Sequence, residues 1–246
     1  MTSPGTDAAS LGKIIARTRY LLLDFDGPIC SIFAGLPAET VAARLRKLFP
    51  GDLPEQIANT PDPIEVFYYS ATVSDEMAAR VEAEMADLEV AAVPTADPTP
   101  YVHQVIASAR ESSRTIGVVS NNSPRAVNAY LDRHGLSDGI RLVAARTSHD
   151  PALLKPSPHL INEAIRGLDA NPADSALVGD SLTDIEAAHS AGVTSIGYAN
   201  KPGKREQMTE LRAGAVITSM ADLALALRAH PILSTRNHQR DLHSCM

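Results

Sequence analysis

No tryptophan occurs in this chain of 246 residues, there are only two cysteines, and aromatic residues make up 4% of the sequence. Cys30 and Cys245 stand near opposite ends of the chain. A disulfide framework and a cysteine-based zinc site of ordinary spacing are therefore excluded, and the usage suits a reducing compartment. Long runs of Lys and Arg are also missing, and the formal net charge is −7. Both facts argue against nucleic acid and anionic membrane as partners, since either surface needs clustered cations to displace its counterions. An anionic substrate would have to find a local positive site. The longest apolar stretches, such as Tyr20 to Leu23 and Ser175 to Gly179, fall far short of the ~20 residues that cross a bilayer. The opening MTSPGTDAAS has no charged region followed by an apolar one, so export is not expected. These absences predict a soluble, cytoplasmic protein and leave its oligomeric state open.

Apolar residues at 44% and charged residues at 21% are ordinary for a globular chain, and the length suits one large domain or a core with an insert. Short apolar runs alternate with stretches of helical period, the pattern of β-α units around a parallel sheet. The predicted strands are Tyr20 to Phe25, Thr115 to Val119, Arg141 to Ala144, Ser175 to Gly179, Thr194 to Gly197 and Ala215 to Ile217. About 90 residues separate the first from the second, where a crossover needs only about a dozen. An inserted helical domain is expected there. Val41, Leu45 and Leu48 recur at helix spacing over 38–49, as do Met77, Val81, Met85 and Leu88 over 74–88, with Ser74 as the N-cap. Pro28, Gly35 and Pro37 mark one exit and Pro94 to Pro100 the other. The expected division is a core of 13–28 plus 99–230, a helical cap of 29–98, and flexible termini of 1–12 and 231–246. His238, His243 and Cys245 in the tail suggest a frayed end rather than a metal site.

Four places carry possible chemistry. Alternation along the first strand sends Asp24 and Asp26 to one side at its C-terminal end, where open α/β sheets bind ligands. Two crowded carboxylates need a cation or a shared proton, although Asp26-Gly27-Pro28 would equally serve as a turn. The second predicted strand ends in Ser120, Asn121 and Asn122 before a helix from about Pro124. A hydroxyl and free N–H groups at such a junction can cradle phosphate, and helix capping by Asn122 or Ser123 explains the same residues. Lys155 precedes a proline pair that opens the next helix. Gly179-Asp180 ends another buried strand, and Asp184 follows four residues on, where an acid would also cap a helix.

In this order the four sites resemble the haloacid dehalogenase-like hydrolase superfamily over roughly residues 18 to 220, and especially its phosphoglycolate phosphatase and β-phosphoglucomutase branch. That resemblance implies a doubly wound, Rossmann-like α/β core with a helical cap inserted after the first motif. It implies hydrolysis of a small phosphate ester through an aspartyl-phosphate on Asp24, with Asp26 as general acid and base. Mg²⁺ would be held by Asp24, Asp26 through its carbonyl, and Asp180; Ser120, Asn121 and Lys155 would bind the phosphoryl group, and Asp184 would orient Lys155 or a metal-bound water. Asp26 votes against a true dehalogenase, which resembles Asp-x-Tyr there, and Pro28 departs from the usual Thr or Val. A phosphomutase and a silent binding module remain as alternatives. The insert is expected to be a mobile lid that selects the substrate through Phe33, Tyr68, Tyr69 and Arg44, with Ile32 and Lys47 as further candidates. Arg44 and Lys47 would equally form the wet face of a helix. Cys30 is expected to pack near the hinge rather than react.

Overall fold

The structure is a computed structural model and describes residues 4–232. Its centre is β1 (Tyr20–Leu23), whose successive side chains enter opposite layers as the pleat requires. Leu21 and Leu23 pack with Ile14, Ile15, Val102 and Leu223, whereas Leu22 packs with Val119, Leu160, Ile161 and Leu177. A strand buried on both faces explains the unbroken apolar run in place of an alternating one.

The chain continues through a short β2 (Cys30–Ser31), α2 (Ala38–Arg46), α3 (Glu55–Asn59), α4 (Pro63–Val73), α5 (Asp75–Ala92) and β3 (Asp97–Pro98), preceded by α1 (Pro4–Arg17). It then alternates: α6 (Val102–Glu111), β4 (Thr115–Ser120), α7 (Pro124–Arg133), β5 (Leu142–Ala145), α8 (His159–Gly167), β6 (Ser175–Gly179), α9 (Leu182–Ser190), β7 (Thr194–Tyr198), α10 (Lys204–Glu210), β8 (Ala215–Ile217) and α11 (Met220–Ala229). The six-stranded parallel sheet has the order β5-β4-β1-β6-β7-β8. Helices α1, α6, α7 and α11 cover one face, and α8 and α9 the other. This is the doubly wound α/β core. The predicted first strand is shorter than expected, ending at Leu23, which leaves Asp24 just beyond the sheet.

Helices α2, α4 and α5 bury Val41, Leu45, Val66, Phe67, Met77, Val81, Met85 and Leu88 in a separate apolar cluster. Ser74 caps α5, accepting the Met77 N–H at 3.0 Å. Both exits of this insert meet in the antiparallel β2–β3 ribbon. The N-terminus departs from the expectation of a loose segment: α1 starts at Pro4 and buries Leu11 in the core, because its Leu11, Ile14 and Ile15 form an apolar stripe. His238, His243 and Cys245 lie outside the described residues. Among the described residues no helix is long and apolar enough to cross a membrane.

Candidate active site

Sheet register builds the site. Leu23 lies opposite Val118 on one side and Val178 on the other, so Asp24, Ser120 and Asp180 emerge at nearly one level from three adjacent strands. Asp24, Asp180 and Asp184 bring carboxylate oxygens within 4.8 Å of one another. Two glycines permit this crowding. At Gly179 a Cβ would stand 2.3 Å from the Asp184 Cβ, and at Gly27 one would stand 2.4 Å from the Asp180 Cγ.

Lys155 is buried between two of the acids, its Nζ 2.7 Å from Asp24 Oδ1 and 2.6 Å from Asp184 Oδ1. Loss of water alone would lower its pKa, but the Asp184 and Asp24 charges outweigh that and raise it, so it stays cationic. Burial first, then the Asp184 charge, pushes the Asp24 carboxyl up against the pull of Lys155. Even with the Lys204 ammonium 2.6 Å from Asp180, two ammonium groups do not balance three acids. An all-oxygen cluster with this uncompensated charge fits a hard divalent cation.

Asp184 makes contacts on two sides. Its Oδ2 accepts the Ser181 N–H at 2.9 Å, closing a capping box at the start of α9, while Oδ1 takes Lys155. Asp26 is held separately: its Oδ1 accepts the Ile32 N–H at 3.1 Å, at the entrance to the insert, and its carboxylate is not one of the three-acid cluster, though the Asp180 and Lys155 charges still act on it. Burial, more than any neighbour, lifts its pKa to about 6. Such a carboxyl can both give and take a proton near neutrality.

Ser120 is buried, its Oγ accepting the Asn122 N–H at 3.0 Å. Asn121 is spent on the Lys155 main chain, accepting its N–H at 2.9 Å and donating to its carbonyl at 3.4 Å. Asn121 thus joins the two loops through its side chain. Ser123 does cap α7. Phe33 packs between the core and insert clusters. Tyr68 and Arg44 are exposed, and Tyr69 packs against Phe49 at 5.5 Å. Among the described residues no hydrogen bond or ion pair joins Arg44, Tyr68 or Tyr69 to the aspartates. Ile32 is buried and Lys47 exposed. Cys30 is fully buried, which drives its thiol pKa up and disfavours the reactive thiolate.

Lys204 and Asn200 escaped sequence reasoning. Lys204 Nζ lies 2.6 Å from both the Asp180 carbonyl and Oδ2, and the Asn200 amide donates to Oδ2 at 2.9 Å. Both sit after β7, where neither a strand-end acid nor a phosphate cradle marks the sequence.

Residues 39–198 match the sequence model of the family described as haloacid dehalogenase-like hydrolase. The chain belongs to that family. The match to this hydrolase begins beyond Asp24 and Asp26, so those two are placed by geometry. A phosphoglycolate phosphatase of Vibrio vulnificus is 27% identical over 124 residues, covering 50% of this chain and 54% of that one. A plasmid-borne phosphoglycolate phosphatase of Cupriavidus necator is 32% identical over 133 residues, covering 52% and 54%. This haloacid dehalogenase-like hydrolase therefore spans about half the length of the curated relatives it matches. In fold it is similar to a predicted phosphatase from Clostridium acetobutylicum, with TM-score 0.68, 16% identity, and coverage of 85% of this chain and 97% of that one. A β-phosphoglucomutase from Clostridium difficile is also similar, with TM-score 0.62, 20% identity, and coverage of 82% and 91%.

Proposed function

We propose that this hydrolase is a Mg²⁺-dependent phosphatase acting on a small phosphorylated metabolite through an aspartyl-phosphate on Asp24. The observation that carries this is the placement of Asp24 in a cluster with Asp180 and Asp184, with the Lys155 ammonium 2.7 Å from its carboxylate. With a divalent cation bound beside Lys155, a site of this kind would draw a phosphoryl group to the nucleophile, and phosphoryl transfer asks mostly for positioning and charge neutralisation. The phosphatase names of the relatives agree with it.

In the first step an Asp24 Oδ attacks phosphorus while the bond to the ester oxygen breaks, and the Asp26 carboxyl gives that oxygen its proton. In the second, water attacks phosphorus, Asp26 takes the water's proton, and the Asp24 Oδ–P bond breaks to release phosphate. Lys155 and Ser120 hold the non-bridging oxygens. Asp24, Asp180 and the Asp26 carbonyl would hold Mg²⁺, whose contribution when bound is to neutralise charge between carboxylate and phosphate. Phe33, Tyr68, Tyr69 and Arg44 stay as candidates for contacts to the leaving group, which alone distinguishes one phosphate ester from another.

Asp24→Asn keeps size and packing but removes the nucleophile. Its kcat with p-nitrophenyl phosphate should fall to background, its circular dichroism should match the parent, and calorimetric titration should show weakened Mg²⁺ binding. Near-normal turnover by this variant, or full wild-type activity after verified metal removal, would refute the mechanism.

A further inference from the structure

Helix α5 carries Asp75, Glu82 and Glu89 at seven-residue spacing, hence along one face. That face meets bases of the core. His149 Nε2 lies 2.9 Å from Asp75 Oδ1, and Arg146 Nε donates to Glu82 Oε1 at 3.1 Å. Arg146 Nη1 and Nη2 reach the two Glu89 oxygens at 2.9 and 3.1 Å, a bidentate pair with side chains 1% and 2% exposed. The Arg146 guanidinium also lies 5.9 Å from the Phe67 ring centre, in the apolar cluster of the insert.

The same two residues hold the turn that follows Ser120. Arg146 Nη1 donates to the Asn121 carbonyl, and the Arg146 N–H donates to the Asn122 carbonyl at 3.0 Å. Glu89 accepts the Ser123 N–H at 2.7 Å and the Asn122 amide at 3.2 Å. Asn121 in turn receives the Lys155 N–H, and Leu154, next to it, is buried in the insert's cluster. Arg146 is not placed to receive a substrate anion, because four of its five side-chain donors are committed to Glu82, Glu89 and Asn121 and the side chain is buried. The geometry points to Arg146 and Glu89 as a positioning pair. From α5 and from the end of β5 they set the Ser120–Ser123 turn and, through Asn121, Lys155 in the alignment that receives a phosphoryl group. This rests on the phosphatase reading above. It also makes α5 a fixed post of the insert rather than part of a freely swinging lid.

The test compares wild type, Arg146→Met, Glu89→Gln and the double variant Glu89→Leu/Arg146→Met, below the unfolding temperature of each. It records kcat and KM for p-nitrophenyl phosphate, the inhibition constant of inorganic phosphate, and thermal stability. Each single change strands buried polar groups and should lower the melting temperature; the apolar pair removes both charges and should recover it. A positioning role predicts phosphate inhibition weakened about 10- to 100-fold, with a matching loss of kcat/KM, in all three variants. The double variant should be no worse than either single one, because the two residues act as a unit. A wild-type inhibition constant in the double variant, whatever its stability, would overturn the assignment and leave the pair a purely structural role. The wild-type control separates the underlying reading: if wild type neither hydrolyses the ester nor is bound by phosphate, the phosphatase function itself fails.

Discussion

Gly27 satisfies two demands that no other residue meets together. Its φ of +102° lies where side chains are rarely found, and a Cβ would collide with Asp180. Gly27→Ala should therefore displace Asp180 and lower kcat about 10²-fold, the usual consequence of misplacing a catalytic group by an ångström; steady-state kinetics beside a denaturation curve would separate this from unfolding. His134 makes a different prediction, remote from the aspartates. Its ring stacks on Tyr130 at 4.2 Å, and Nε2 is buried with no hydrogen-bond partner among the described residues. Burial, then Arg133 and His103, lower its pKa. A depressed histidine binds fewer protons folded than unfolded, so its contribution to stability is present above the free value of about 6.5 and is lost as pH falls through the folded value. His134→Phe keeps the stacking and should flatten the fall in melting temperature between about pH 7.5 and 5.5, measured by calorimetry.

At the scale of elements, six strands were legible because each is an apolar run stopped by polar residues, and the stripes of α2 and α5 because their period is helical. The β2–β3 ribbon was not legible. Two residues from each side, including Pro98, make no periodic signal, and they pair only because the chain must leave and re-enter the core at one place. Helix α4 was missed too, its run of Phe67, Tyr68 and Tyr69 lacking a clear apolar face. Ser74 ends that helix and begins the next, its N–H bound to the Ser70 carbonyl and its hydroxyl capping α5. Ser74→Ala should cost about 1 kcal/mol, read from the urea midpoint at unchanged slope, and Ser74→Asp should restore most of it.

Across the whole molecule, Arg114 ties the ends of the described chain together. Buried without a carboxylate partner among the described residues, it donates to the carbonyls of Ile15 at 2.7 Å, Thr18 at 3.0 Å and Leu227 at 3.5 Å, and to that of His230. Those carbonyls close the C-terminal ends of α1 and α11, where the helix dipole favours a cation. Arg114→Met leaves them unpaired and should destabilise the protein by about 2–4 kcal/mol. Equilibrium denaturation would show this, with kcat unchanged at temperatures where the variant is folded.

Residue pattern alone determined the parallel α/β class, the place of the insert and the strand-end acids Asp24 and Asp180. Those are local facts: an apolar run specifies a buried strand, and the residue after it must lie at the sheet's edge. The same pattern marked Lys155 and Asp184 without saying that they meet, because their contact joins loops 29 residues apart. Lys204, Arg146 and Glu89 carried no mark at all. A lysine opening a helix, an arginine after a strand and a glutamate on an amphipathic helix look like solvated charges until packing removes the water around them. Only the tertiary structure brings Glu89 to Arg146 across 57 residues. Burial then turns an ordinary charge pair into one whose loss the neighbouring Ser120–Ser123 turn would feel.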